Sequence, residues 1–420
     1  MSFNLPELPS GWAFSPLEEC AQKSSISYGV VQPGVAVTDG VPIIRVNNFH
    51  GTHINLSDVM RITPEIESKY SRTRLAGGEV LLTLVGSVGQ VAVVPKSMIG
   101  FNVARAVAVI HPLPHIDPEW IALCLRSPLS QHLLGSRANT TVQVTINLKD
   151  VRALPIPIPP EKERRQITEM LLSLDDRISL LRETNTSLEA IAQALFKSWF
   201  VDFDPIRAKQ DGREPEGMDA DTAALFPDSF EESELGLVPK GWRVGNFGDF
   251  ITRLSVGKKY DNKTALPEGN VPILDQGKSG IIGFHNDPPS VNASLDAPIV
   301  VFANHTCYMR MISYDFSAIQ NVLPFVGKDV DTVWTYYATK DRVKFSEYKG
   351  HWPDFAIEKT VIPNGTATIA FRGSTDPLIR RIRFNELQAQ TLATLRDTLL
   401  PRLISGQLRL PDAEAMVGEI

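Results

Sequence analysis

The sequence predicts an α+β chain with pseudo-two-fold organisation: two similar mixed domains separated by two long helices that pair as an antiparallel coiled coil. Two observations predict it. Leu8-Pro9-Ser10-Gly11-Trp12 recurs as Val238-Pro239-Lys240-Gly241-Trp242, and Val41-Pro42-Ile43-Ile44 recurs as Val271-Pro272-Ile273-Leu274, both at an offset of 230. Two matches at one offset mark a duplicated unit rather than two coincidences. Between the copies lies an unbroken row of apolar residues at helical spacing, too long for the core of a small domain.

Taken in order, residues 1–160 form the first domain. Residues 79–94 read as a hairpin around Gly86-Ser87-Val88-Gly89, and 103–110 as a following strand. Asp117-Pro118 then opens a helix, with the Asp placed to cap its free amides. Residues 154–160 (LPIPIPP) must be extended, because each proline disfavours helix for the residue before it. Pro160 suits the first turn of the helix that follows, where its missing amide costs nothing.

That helix covers 161–201. Its seam runs Ile167, Leu171, Leu174, Ile178, Leu181, Asn185, Leu188, Ala192, Leu195, Trp199, nine of ten positions apolar, which is a coiled-coil pattern. A helix over 161–200 spans about 60 Å at 1.5 Å per residue. The one polar member, Asn185, is of the kind that fixes register and partner. Residues 202–237, rich in Gly, Pro and acids, read as a return connector.

The second domain covers 238–376, with strands at 298–303 and 308–314 and a helix capped by Asp331. Asp376-Pro377 opens the second long helix, 377–410, followed by a tail at 411–420. Its seam (Leu378, Ile382, Asn385, Ala389, Leu392, Arg396, Leu399, Leu403) is weaker, with two polar positions and Pro401 placed to kink or end it. If the helices pair antiparallel, the domains sit at opposite ends of a rod.

Charge permits nucleic-acid binding without arguing for it. The chain of 420 residues is −6 overall, whereas a DNA reader is usually basic. Residues 161–237, however, hold 9 basic and 18 acidic side chains. Residues 1–160 hold 12 and 11, and 238–384 hold 18 and 14, so both domains are neutral to mildly basic. The first residues lack a secretory pattern, and no apolar run reaches the length of a membrane span. The three cysteines (Cys20, Cys124, Cys307) are far apart, which argues against a disulfide framework or structural zinc. A cytoplasmic protein without membrane contact is expected.

Three near-motifs for catalysis each lack an essential part. Asp287-Pro288-Pro289-Ser290 resembles the base-holding loop of amino-methyltransferases, but Ser290 stands where an aromatic would stack on a flipped base. Gly277-Lys278-Ser279 matches the end of a phosphate-binding loop whose first glycine is here Pro272. Pro353-Asp354 with Glu358-Lys359 has too few acids at the spacing of a metal-dependent nuclease. No HExxH or other His ligand pair occurs. No catalytic residue, metal site or cofactor is therefore assigned to this chain.

Residues 154–205, LPIPIPPEKERRQITEMLLSLDDRISLLRETNTSLEAIAQALFKSWFVDFDP, closely resemble the central conserved region of the specificity subunits of type I restriction–modification systems. Residues 395–406, LRDTLLPRLISG, resemble the same family's distal conserved region. The Pro-x-Gly-Trp openings, Ile146-Asn147-Leu148-Lys149-Asp150 and Gly350-His351-Trp352-Pro353-Asp354-Phe355 are also similar to family segments. The resemblance covers the full length. It implies two target-recognition domains, each reading one half of a split double-stranded DNA target. It also implies helices that set the spacing and dock two modification (methyltransferase) subunits, with restriction subunits joining the full complex. S-adenosylmethionine, ATP and magnesium would belong to those partners. A coiled-coil scaffold assembling some other complex, without DNA recognition, is the alternative from another class.

Base edges are read by Arg, Lys, Asn and Gln, and phosphates by cations and amides. Candidate DNA contacts in the first domain are Arg45, Asn47, Asn48, Arg72 and Arg74. In the second they are Lys258, Lys259, Gln276, Lys278, Asn304, His305 and Arg310.

Overall fold

A computed structural model describes residues 5–137, 145–277 and 280–418. The chain divides into two compact units, residues 1–179 with 389–420, and residues 180–388.

In the first unit, Ser27–Tyr28, Val107–Ile110, Val80–Thr83 and Val91–Val93 form a four-stranded antiparallel sheet in that order. The expected hairpin is its second half, and Gly86 and Gly89 turn it with φ of 76° and 91°, values open to glycine. The 103–110 segment is two short strands, Asn102–Val103 and Val107–Ile110, which belong to different sheets. A second sheet places Val41–Ile44 between Met60–Ile62, antiparallel, and Asn102–Val103, parallel. Ile44, Leu81, Val103, Val107 and Val109 fill the core between them. Ala13–Pro16 pairs with Pro155–Ile158, so the extended proline run is an edge pair that tolerates missing amides. Trp12, from the first copy of the repeated pentapeptide, donates its indole N–H to Glu163 at 3.1 Å.

The second unit repeats this plan. Its four-stranded sheet orders Ile251–Arg253, Val322–Gly327, Ile299–Ala303 and Met309–Ile312. Val271–Leu274 lies between Ile281–His285, antiparallel, and Ser317–Ala318, parallel. Arg243–Asn246 pairs with Lys359–Ile362. Strand order and sense therefore match element by element, as the offset-230 repeat requires. Trp242, the second copy's tryptophan, stacks on Phe200 at 5.8 Å.

The two long helices are Glu161–Phe200 and Gly365–Ile404, and they pack together within each unit. In the second unit Asn185 meets Ile382, while Phe196 meets Phe371 at 5.8 Å, so the pairing is antiparallel. In the first unit Asp175 meets Arg396. The first seam is closed: Ile167, Leu171, Leu174, Ile178, Leu181, Ala192 and Trp199 are buried, with Leu188 and Leu195 half-buried. Leu392, Leu399 and Leu403 are buried likewise.

Several local expectations are corrected. Asp331 caps its helix by accepting from the Val333 amide at 2.7 Å, but Asp117 makes no such bond. The second long helix starts twelve residues before the expected 377, because Asn364 caps it by accepting from the Ala367 amide at 2.9 Å. Asp376 is no cap; it accepts from Arg372 and Arg380 on the same helix. Pro401 does not end the helix, which closes beyond Ile404 at Gly406 with φ of 70°. Residues 410–418 form a further helix rather than an irregular tail. The acidic segment 202–237 is folded: Phe203, Ile206 and Phe226 are buried among Trp199, Phe200 and Trp242.

Candidate nucleic-acid interface

A side chain can read DNA only if its polar atoms are not already held by the protein. In the first unit, Asn48 fails that requirement. It is 2% exposed, its carbonyl accepts from the Arg45 amide at 2.9 Å, and its amide donates to Asp58 and Asn55 carbonyls. It builds the loop instead of reading through it. Arg45 reaches Asp58 at 3.5 Å, and Asn47 lies at the same distance from that carboxylate. Arg74 forms a two-pronged pair with Glu67, whose carboxyl is held below its ordinary range first by that hydrogen bond. Arg72, two residues away, is exposed with no ion pair among the described residues.

In the second unit, Lys258 bonds Asp287 at 2.6 Å, and Tyr260 donates to the same carboxylate at 3.1 Å. The Lys258 hydrogen bond, then that of Tyr260, lowers the Asp287 pKa. Tyr260 stacks flat on His285, ring centres 4.2 Å apart, and His285 meets the buried Ser317 hydroxyl at 2.8 Å. Lys259 projects into solvent.

Gln276, Asn304, His305 and Arg310 converge on one region. The Gln276 carbonyl oxygen of the side chain accepts from the His305 amide at 2.9 Å, and Arg310 donates to the Asp275 carbonyl at 2.8 Å. Asn304 accepts from the Trp352 amide with its side chain, and from the His351 amide with its backbone, both at 2.8 Å. Gln276 and Asn304 thus hold backbone through their side-chain oxygens, and Arg310 holds it through its guanidinium. Lys278 lies outside the described residues. The sequence reading missed the segment they support, 341–350, where Tyr348 and Phe345 stand exposed beside Lys344. Its composition, KDRVKFSEYKG from 340, interleaves cations and aromatics and was visible in the sequence.

Known proteins similar to this chain point to one family. Residues 9–190 match the model of the type I restriction modification DNA specificity domain. The chain is 31% identical over 198 residues to the EcoBI type I restriction enzyme specificity subunit of Escherichia coli, covering 44% of this chain and 42% of that subunit. It is 24% identical over 402 residues to the HindI specificity subunit of Haemophilus influenzae, covering 76% of this chain and 84% of the other. Over its first half the chain is similar to type I restriction–modification specificity subunits, and at lower identity it is similar over most of its length to the Haemophilus subunit. The match to the Escherichia coli protein spans less than half of that relative's length, whereas the Haemophilus match spans most of it. The fold of the chain is also that of a solved type I restriction-modification system S subunit from M. genitalium. That match has TM-score 0.54 and 14% identity, covering 96% of this chain and 98% of the other.

The acids of the near-motifs are engaged in pairing. Asp287 bonds Lys258, Asp354 lies 3.2 Å from Lys349, and Glu358 lies 3.0 Å from Arg342. Among the described residues no group of three or more His, Cys, Asp or Glu could hold a metal ion, and no helix is long and apolar enough to cross a membrane.

Proposed function

We propose that this chain is a type I specificity subunit that recognises a bipartite double-stranded DNA target, each unit reading one half. The two long helices set the spacing and dock two modification subunits. Methyl transfer with S-adenosylmethionine, and ATP- and magnesium-dependent restriction, then reside in partner subunits. The observation that carries this reading is the repeated topology: the same two sheets, in the same strand order and sense, are built twice from one chain. A duplicated reader suits two half-sites as a dimer suits a palindrome. Docking is supported by apolar side chains left in solvent on the helices, including Leu180, Ile191, Ile369 and Phe384. Apolar side chains exposed on a helix pair are available to a partner subunit.

The test is co-expression with the modification subunit of the same host, followed by mapping of methylated adenines. A bipartite motif is expected, and exchange of residues 1–160 for those of another specificity subunit should alter one half only. A motif that is continuous, or altered in both halves, would sink the two-reader assignment. Methylation by the purified chain alone would contradict its non-catalytic role.

A further inference from the structure

We infer that the second unit meets DNA bases through Phe345 and Tyr348, with Lys344 on the phosphate backbone, and that Gln276, Asn304 and His305 form the platform beneath them. The inference rests on the DNA-reading assignment above and names the surface it would use.

Tyr348 is 85% exposed and Phe345 57%, three residues apart in a segment without regular secondary structure. Exposing two large rings is costly unless a partner covers them. The segment is nonetheless held in place. Tyr348 stacks on His305 with ring centres 5.0 Å apart and planes 22° apart. Phe345 meets the buried His351 edge-on at 5.9 Å. Gly350 passes so close to Asn304 that a Cβ there would lie 2.8 Å from its amide nitrogen. Asn304 in turn receives the His351 and Trp352 amides, and Gln276 receives that of His305. The rings are thus pre-positioned, which lowers the ordering cost of binding.

The surroundings favour a nucleic acid as the occupant. Residues 340–350 carry four basic and two acidic side chains. Lys344 has no ion-pair partner among the described residues, so its charge is available to a phosphate. A cavity of ≈ 530 Å³ opens beside Phe345, lined by Lys344, Gln276, Gly277 and Tyr308 among others. The Nδ1 atom of His305 is buried next to Gln276 with no partner among the described residues. Aromatic contact with base faces or thymine methyls, flanked by a cation, is an established way of holding DNA bases.

The test uses the assembly of this chain with its modification subunit and a duplex carrying the wild-type methylation motif. The double variant Phe345→Ala with Tyr348→Ala should lose about tenfold or more in affinity for that duplex. Its motif should relax in one half only, the half that survives exchange of residues 1–160. Tyr348→Phe should retain most of the affinity, and melting temperatures should be unchanged because both rings are exposed. Wild-type affinity and motif in the double variant would overturn this inference while leaving the bipartite reader intact. Loss of the modification subunit from the purified variant would also overturn it, by making the segment a protein contact. Absence of sequence-specific binding by the wild-type assembly would instead remove the underlying DNA assignment, and this inference with it.

Discussion

An asparagine or glutamine side chain can serve a base edge or a loop, and its existing bonds decide which. Asn48 and Asn304 have their amides engaged with backbone, so replacing either should unfold a loop before it altered a base contact. The Glu67 carboxylate is a similar case with a pH signature. It is buried, accepts from Arg74 and from the Asn102 amide, and its pKa lies below the ordinary carboxylate value. A carboxyl with a lowered folded-state pKa stabilises the fold fully above its unfolded value near 4, and loses that contribution as pH falls through the lowered value. Glu67→Gln should therefore cost about 1–3 kcal/mol at pH 7. It should also flatten the acid limb of the stability curve below about pH 4. Chemical denaturation at several pH values reads both. An acid limb as steep as wild type would dismiss Glu67 as its source.

The two polar positions that weaken the second seam find partners on the first helix. Asn385 is fully buried and donates to the Asn185 side chain at 2.8 Å, while Asn185 donates to the Ile382 carbonyl at 3.0 Å. Arg396 donates to Asp175 at 2.6 Å, and Arg126 from the 118–126 helix lies 3.9 Å from the same carboxylate. The second unit repeats the device with Glu189, which accepts from Tyr337 at 2.9 Å and Lys340 at 2.5 Å at the end of its own domain helix. In each unit one acid of the 161–200 helix thus grips a cation at the end of a domain helix. Asp175→Asn leaves the partly buried Arg126 without its carboxylate and Arg396 with Asp397 alone, and should cost about 2–3 kcal/mol, whereas Arg396→Met leaves Arg126 to pair Asp175 and should cost less. Asn185→Leu should cost about 1–3 kcal/mol by orphaning Asn385, and the double change with Asn385→Leu should recover much of it. Denaturant midpoints of the single and double variants measure both, and additive losses at the asparagine pair would deny their coupling.

These elements also show what the sequence makes legible. Periodicity located the first long helix to within a residue, because its apolar row is unbroken. It placed the start of the second helix late, because Asp376-Pro377 has the form of a helix start while the actual cap, Asn364, precedes a run with little apolar rhythm. The repeat gave the domain plan through two short matches, whereas Lys258 and Arg74 were legible as cations but not as ion-paired ones. Partners distant in sequence, such as Asn304 and Trp352, are brought together only by the fold. Phe345 and Tyr348 carried a signal, cations alternating with rings, that a search restricted to Arg, Lys, Asn and Gln passed over.

At the scale of the whole molecule, the net charge of −6 has to be reconciled with binding a polyanion. The acidity is concentrated in 161–237, and Glu214, Glu216, Asp221 and Glu232 of that segment are exposed. Exposed charges act over a Debye length of about 30 Å at 0.01 M salt but only about 8 Å at 0.15 M. On the proposed DNA-reading role, these acids would weaken non-specific attraction to DNA at low salt and matter little to a seated complex at physiological salt. Neutralising the four as Gln or Asn changes the formal charge from −6 to −2 (−6 + 4 = −2). Affinity for a random-sequence duplex should then rise several-fold at low ionic strength, with the gain shrinking as salt is added. The methylated motif of the assembled complex should not change, because the four belong to the acidic segment 202–237 and not to the proposed reading residues. Fluorescence anisotropy at two salt concentrations, with methylation mapping of the same variant, separates the outcomes. An altered motif would move this segment onto the reading face, and an unchanged random-duplex affinity would show that the acids do not tune discrimination between target and bulk DNA.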